Sequence, residues 1–369
     1  MRTSEHIYHR LRWDTRFDPA RFVVGIAQRG TGPKRTPLTS FVPGGDVPWH
    51  RILYFEADGE RVWDRASGAD LLDGTDAGRA RVPRRLLPPL FEPVTVTGSP
   101  AAVPVARSGL RVLTWNTLWE RYDAERIATA RRRPLLVAAL RAADADVIAL
   151  QEVERPLYDL LRDGGWAIAP GCREASAYGL ALLSRLPVYE TARHVLGTHK
   201  ALLAMVVETA DGPVTVATTH LTSDHSPGAA ARRRAELGAV SEALAAVPGD
   251  VVLAGDFNDV TALPADALAM RDAWPEARAR DGGDPDAPTF DPRVNPLAAV
   301  GSLTGLPGRI DRVLLRGRHR TVRAVLTGTV PDSDGLYPSD HFGVLASLES
   351  PWSTADGSVN RAASDHPFA

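Results

Sequence analysis

Between residues 110 and 341 polar side chains recur directly beside apolar runs. Asn116 follows Val112-Leu113-Thr114-Trp115, Glu152 follows Val147-Ile148-Ala149-Leu150-Gln151, and His220 follows Val216-Ala217-Thr218-Thr219. Asp256 and Asn258 follow Val251-Val252-Leu253-Ala254-Gly255, Asp311 opens a further apolar run, and Asp340-His341 precedes another. Carboxylate and amide oxygens suit a hard cation such as Mg²⁺ or Mn²⁺, which takes phosphate oxygens as further ligands. An oriented carboxylate or imidazole can activate water beside it. Taken singly, a Glu after a strand is a cap or a surface charge, and Asp256-Phe257-Asn258-Asp259 is an Asx-rich turn. The recurrence is what points to phosphate chemistry. Other chemistries lose ground: the single cysteine, Cys172, cannot furnish a thiolate metal site, and no G-x-S-x-G elbow or G-x-x-x-x-G-K-[ST] loop occurs.

Such side chains act together only if rigid elements end on one rim. From Leu110 onward the pattern is strands alternating with helices. Strands are expected over 111–115, 146–150, 180–184, 202–207, 214–219, 251–254 and 310–315. A helix is expected over Pro134–Ala142 with the proline in its first turn, and another over Gly228–Val247 with a Leu237, Val240, Leu244 stripe. Residues 1–75 read as a separate small α+β unit, with Asp58-Gly59 as a hairpin turn. Residues 76–108, rich in Pro, Arg, Val and Ala without period, read as a linker. The catalytic unit is then 109–350, and the small, polar stretch 351–369 reads as a disordered tail. One cysteine forms no intrachain disulfide, and the N-terminus has no signal-peptide core; a cytoplasmic, non-membrane protein is expected. The formal net charge of -2 confines any polyanion site to a local patch. The densest basic runs are Arg131–Arg133 and Arg232–Arg234, each either a nucleic-acid track or a solvated helix face.

Four short texts, Thr114-Trp115-Asn116, Leu150-Gln151-Glu152-Val153, Gly255-Asp256-Phe257-Asn258 and Ser339-Asp340-His341, resemble in order the signatures of the endonuclease/exonuclease/phosphatase superfamily. The resemblance implies a four-layer α/β sandwich, two facing mixed sheets with helices outside. It implies Glu152 as the principal metal ligand, with Asn116 and Asp340 at the same Mg²⁺ or Mn²⁺. Asp256 would orient or deprotonate water, Asn258 and His220 would stabilise the transition state, and Asp311 would assist the metal site. His341 would bind phosphate, held in orientation by Asp340. Softer text around Tyr178, Arg185, Arg232, Thr289, Phe290 and Asn295 is similar to the 5′-tyrosyl-DNA phosphodiesterase branch and implies substrate-binding positions there.

At the other end, Ile7-Tyr8-His9-Arg10-Leu11-Arg12-Trp13 and Val47-Pro48-Trp49-His50-Arg51-Ile52 resemble an RNA cyclic-group end-recognition domain. His9, Arg10, Arg12, Trp13, His50 and Arg51 would hold an RNA end. Cationic donors interleaved with aromatics can grip a terminal phosphate and stack a base, although the same residues would also build a small aromatic core under Arg stems. The resulting expectation is a metal-dependent phosphodiesterase or nuclease acting on nucleic-acid ends, RNA favoured over DNA, in RNA repair or end processing. The alternatives are a 5′-tyrosyl-DNA phosphodiesterase-type repair enzyme and a non-catalytic RNA-binding scaffold.

Overall fold

The computed structural model describes every residue except 29, 31, 44–46, 101–108, 121–123, 171–177 and 351–369. Cys172 and the expected tail lie outside the described residues.

The N-terminal unit opens with the Ser4–Trp13 helix, whose N-cap Thr3 accepts a hydrogen bond from the His6 amide. Its Ile7, Tyr8 and Leu11 pack on an antiparallel sheet of β1 (Phe22–Ile26), β2 (Lys34–Pro37), β3 (Ile52–Ala57), β4 (Glu60–Asp64) and β5 (Ala69–Asp70), in the order β2-β1-β3-β4-β5. Asp58 and Gly59 join β3 to β4 with φ of 51° and 85°, the left-handed pair that a two-residue hairpin requires. Phe17, Phe22, Phe55, Val62 and Trp63 fill the core.

The stretch expected to be a linker is ordered where described. β6 (Glu92–Pro93) adds to the edge of a sheet of the larger unit, and Leu86, Phe91 and Val94 are fully buried in that unit. Their irregular spacing gives no periodic signal, because they pack as a draped strap rather than a regular element.

The larger unit is built from β7 (Leu110–Asn116), β8 (Val147–Gln151), β9 (Ala167–Ala169), β10 (Ala181–Ser184), β11 (Val188–Gly197), β12 (Lys200–Thr209), β13 (Gly212–His220), β14 (Val251–Asp256), β15 (Arg271–Asp272), β16 (Asp311–Arg316), β17 (Arg320–Thr327) and β18 (Gly343–Glu349). They form a six-stranded sheet, β17-β18-β7-β8-β10-β9, and a seven-stranded sheet, β15-β16-β14-β13-β12-β11-β6. Alternate residues of single strands enter different cores. In β8, Val147 and Ala149 pack between the sheets, while Ile148 and Leu150 pack under the Thr129–Ala142 and Arg155–Arg162 helices. In β14, Val252 and Ala254 face the sheet interface, and Val251 and Leu253 face the Ala229–Ala245 helix. Burial on both faces is why these strands read as unbroken apolar runs. The outcome is the expected sandwich: helix, sheet, sheet, helix.

One helix differs from expectation. It begins at Thr129, so Pro134 lies inside it rather than in its first turn. The earlier start is held by Arg132, which is buried and donates to the Thr117, Leu118 and Pro338 carbonyls. No described helix is long and apolar enough to cross a membrane.

Candidate active site

β7 and β8 run parallel, as do β13 and β14, and the two pairs face each other across the interface. Asn116, Glu152, His220 and Asp256 therefore emerge on one rim. Asp311 opens the antiparallel β16 opposite Asp256, and Asp340-His341 arrives just before β18. Close strand approach is part of this arrangement. A Cβ on Gly255 would lie 2.1 Å from the Thr219 carbonyl oxygen, so any larger residue would wedge β13 from β14. Backbone strain gathers at the rim: Leu118, Glu152 and Asn258 hold φ of 62°, 60° and 50°.

The side chains form one network. Asn116 Nδ2 donates to Asp256 Oδ2 at 3.0 Å, and Asn116 Oδ1 accepts from the Leu118 amide at 3.0 Å. The Trp119 amide donates to Glu152 Oε2 at 2.7 Å, and the Asn258 amide to Asp256 Oδ1 at 2.8 Å. His220 Nε2 lies 3.6 Å from Asp256 Oδ2 and 3.9 Å from Glu152 Oε1. His341 Nδ1 lies 2.8 Å from Asp311 Oδ2, and its Nε2 lies 4.0 Å from Asp256 Oδ2. Asp311, not Asp340, thus orients His341, which corrects the sequence expectation. Asp340 instead accepts a hydrogen bond from Ser339 at 3.1 Å.

Burial and crowding set the charges. Burial raises Glu152, and the nearby Asp340 raises it further. Burial and then Asp311 raise Asp256. Burial, helped by Lys200 and His341, pushes His220 well below its ordinary value, so it is neutral. Burial opposes charge on His341 too, but Asp311, Asp340 and Asp256 override it and hold it well above 6.5. Asp256 therefore sits between a neutral imidazole and an imidazolium.

The pocket suits a divalent cation. Four carboxylates (Glu152, Asp256, Asp311, Asp340) face one charged histidine, and Asp311 Oδ1 is buried without a hydrogen-bond partner. Asp256, Asp311 and His341 present ligand atoms within 4.8 Å of one another. That trio already contains its own counter-charge, the imidazolium. Glu152 and Asp340 repel each other, with the charges of His341 and Arg132 as a partial offset, so a cation between them relieves the crowding.

The expected substrate-binding residues separate. Thr289 is buried, and its Oγ1 accepts from the Ile310 and Asp311 amides, so it positions Asp311 rather than touching substrate. Asn295 is also fully buried, donating to the Ser339 and Asp340 carbonyls and capping the Pro296–Gly301 helix. Arg185 lies at the wrong end. It follows β10 next to Val147 rather than Leu150, and it pairs with Asp144 at 2.9 Å. Phe290 stays at the rim, its ring 5.0 Å from that of His341. Tyr178 precedes β10 at the rim end, with the Arg193 guanidinium 5.1 Å over its ring. Arg232 is exposed near the start of its helix.

The two basic runs are largely structural. Arg131 pairs with Asp334 and Arg133 with Glu120, each at 2.6 Å, and the buried Arg233 bonds the Thr222 carbonyl and Asp224. Lys200 is the residue the sequence reading missed. Its Nζ donates to the Leu221 carbonyl at 3.0 Å, and its charge reaches Asp256 and Glu152. Its signal was rarity: Lys34 and Lys200 are the only lysines.

In the N-terminal unit His9, Trp13 and His50 are exposed, and the His9 ring lies 6.1 Å from Trp49. Arg10 is already paired with Asp73 and Asp14, and Arg51 donates to the Ala27 carbonyl at 2.8 Å. These two are structural as they stand. Arg12 is half-buried at the end of the helix.

Residues 113–341 match the model of the Endonuclease/Exonuclease/phosphatase family, more than half of the chain. The chain belongs to that family. Residues 1–65 match the MJ1316 RNA cyclic group end recognition domain. Solved structures with the same catalytic fold as this family member include D. rerio TDP2 complexed with a single-strand DNA product (TM-score 0.55, 20% identity, 66% of this chain and 100% of that one). Truncated Caenorhabditis elegans TDP2 is another (TM-score 0.51, 21% identity, 65% of this chain and 97% of that one). At these identities the likeness concerns the fold. The family comprises hydrolases of phosphodiester bonds that generally use divalent metal ions, in keeping with the acidic rim.

Proposed function

We propose that this chain is a Mg²⁺- or Mn²⁺-dependent phosphodiesterase or nuclease that hydrolyses phosphodiester bonds at nucleic-acid ends, RNA favoured over DNA, in RNA repair or end processing. The observation that carries this reading is a complete acidic and imidazole rim in one chain with an end-recognition domain. Glu152 and Asp340 would hold the cation, with Asn116 beside them. When bound, the cation supplies charge neutralisation at the phosphoryl oxygens.

This chain's own groups account for the rest. The His341 imidazolium, aligned by Asp311, donates to a non-bridging phosphate oxygen. Asp256 has Asn116 and the Asn258 amide on its two oxygens, so its remaining lone pairs point in fixed directions to orient water and take its proton. Neutral His220 beside it can share that proton. Asn258, held by the Leu221 carbonyl, and Lys200 flank the same space.

The test is hydrolysis of end-modified RNA and DNA oligonucleotides with Mg²⁺ or Mn²⁺. Glu152→Ala should abolish it, and undiminished activity in that variant would remove the assigned site. A second reading, release of a tyrosyl group from a DNA 5′ end, is supported by the similarity of the text around Tyr178, Thr289 and Phe290 to the 5′-tyrosyl-DNA phosphodiesterase branch. Side-by-side turnover of a 5′-tyrosyl DNA and an RNA of equal length separates the two readings.

A further inference from the structure

Residues 78–97 leave no slack between the two units. The N-terminal side is tied first. The Asp18 amide donates to the Gly78 carbonyl, the Ala80 amide to Arg16, and the Arg84 amide to Thr15, at 2.9, 2.8 and 3.2 Å. The buried Arg84 guanidinium donates to the Arg12 carbonyl at 2.6 Å, at the end of the helix that carries His9 and Trp13. The very next residues belong to the catalytic side. Arg85 and Leu86 donate their amides to the buried Glu190 carboxylate at 2.7 and 3.2 Å. The strap then buries Leu86, Phe91 and Val94, pairs Glu92 with Arg193, and bonds Thr97 to Ile168. Thr39 of the first unit meets Thr95 of the strap at 3.3 Å.

This geometry fixes a distance. Glu190 pairs with Val206, and Val206 with Thr215, which precedes His220 on β13. Two strand spacings across and five residues along make roughly 20 Å from Glu190 to the catalytic rim. Arg12 is reached from the strap through Arg84, and the strap's β6 is the edge strand of the sheet, three strand spacings or roughly 14 Å from the β13 that carries His220. A terminal group held beside His9, Arg12 and Trp13 is therefore too far away to be the group that reacts.

We infer that the enzyme processes an end by cutting a set number of nucleotides in from the terminus its N-terminal domain holds, with the strap as the ruler. The inference rests on the proposed function and on the end-binding residues named there. It identifies the substrate as a single strand long enough to span both sites. Tethering by the recognised end raises the effective concentration of one phosphodiester at the rim over all others.

The experiment uses the full chain with Mn²⁺ and end-labelled single-stranded RNAs of several lengths and unrelated sequences. Each carries a 2′,3′-cyclic phosphate, a 3′-phosphate or a hydroxyl end. One dominant product, at constant distance from the same terminus whatever the length, is the expected result. A Gly-Ser-Gly-Ser insertion between Arg84 and Arg85 should shift that product by some nucleotides and broaden it, with total cleavage of an unstructured RNA retained. Cuts placed by sequence, or stepwise trimming from the terminus, overturn the ruler and leave the phosphodiesterase reading intact. The wild-type ladder decides this even if the insertion variant misfolds. No cleavage of any oligonucleotide overturns both.

Discussion

His341 carries its proton because three carboxylates outweigh its burial, and Asp311 is the one in direct contact. Asp311→Asn keeps the shape and removes the charge. Hydrolysis should fall about 10–100-fold, the usual loss when a supporting carboxylate behind an imidazole is removed. The loss should grow as pH rises, because the variant imidazolium gives up its proton earlier. Ring resonances followed against pH would show the His341 midpoint moving down; an unmoved midpoint refutes the assignment. The carboxylates predict a metal effect of opposite sense. Glu152 and Asp256 are held above the ordinary carboxylate range, so a cation must displace protons to bind. Mg²⁺ affinity should therefore rise with pH, with protons released in calorimetry across buffers of different ionisation enthalpy. Binding without proton release would contradict those shifts. At this scale the sequence identifies which residues converge but not who holds whom. Asp340 adjoins His341 in the chain, yet the partner that reaches its ring is Asp311, brought in by β16 from thirty residues away.

Strand ends were legible because runs buried on both faces stop abruptly at a polar residue, as at Leu150-Gln151-Glu152. The turn beyond each strand end was not legible. Glu152 turns the chain with φ of 60°, a conformation that costs a residue with a Cβ about 1–2 kcal/mol. Glu152→Gly and Glu152→Ala should both be inactive, and the glycine variant should be the more stable by about 1 kcal/mol in urea unfolding. Equal stabilities would mean the strain is relieved elsewhere. The strap makes a second, pH-dependent prediction. Burial raises Glu190 from 4.5 to about 7, despite the Arg85 and Leu86 amides and the nearby Arg84. A carboxyl raised on folding binds its proton more tightly in the folded state. Its contribution is thus fully present below 4.5 and is lost as pH rises through about 7. Glu190→Gln cannot ionise. The stability of wild type relative to this variant should decline from pH ~5 to pH ~8, by up to about 3 kcal/mol. A difference independent of pH would place Glu190 in a wetter setting than the strap provides.

At the scale of the molecule, alternation showed only that strands and helices take turns, and the two-sheet class came from the family resemblance, whereas the order β17-β18-β7-β8-β10-β9 depends on pairings that no local pattern encodes. The boundary between units was misplaced for a related reason: the strap's apolar residues belong to a core assembled from strands a hundred positions downstream. That error has a measurable consequence. A catalytic fragment cut by composition would begin at 109 and discard Leu86, Phe91 and Val94. Each is a fully buried side chain that contributes about 1.5–3 kcal/mol, so the loss is comparable with the whole stability of many domains, about 5–15 kcal/mol. It also strips β6 from β11 and leaves Glu190 without its two amides. A fragment beginning at 84 keeps all of these and loses only the N-terminal unit. The 84–350 fragment should stay soluble, unfold cooperatively in urea and hydrolyse a short phosphodiester at the full-length rate. The 109–350 fragment should aggregate or unfold at much lower urea. Equal midpoints would mean that the strap merely lies on the catalytic unit, and the fixed separation between end and scissile bond would lose its mechanical basis.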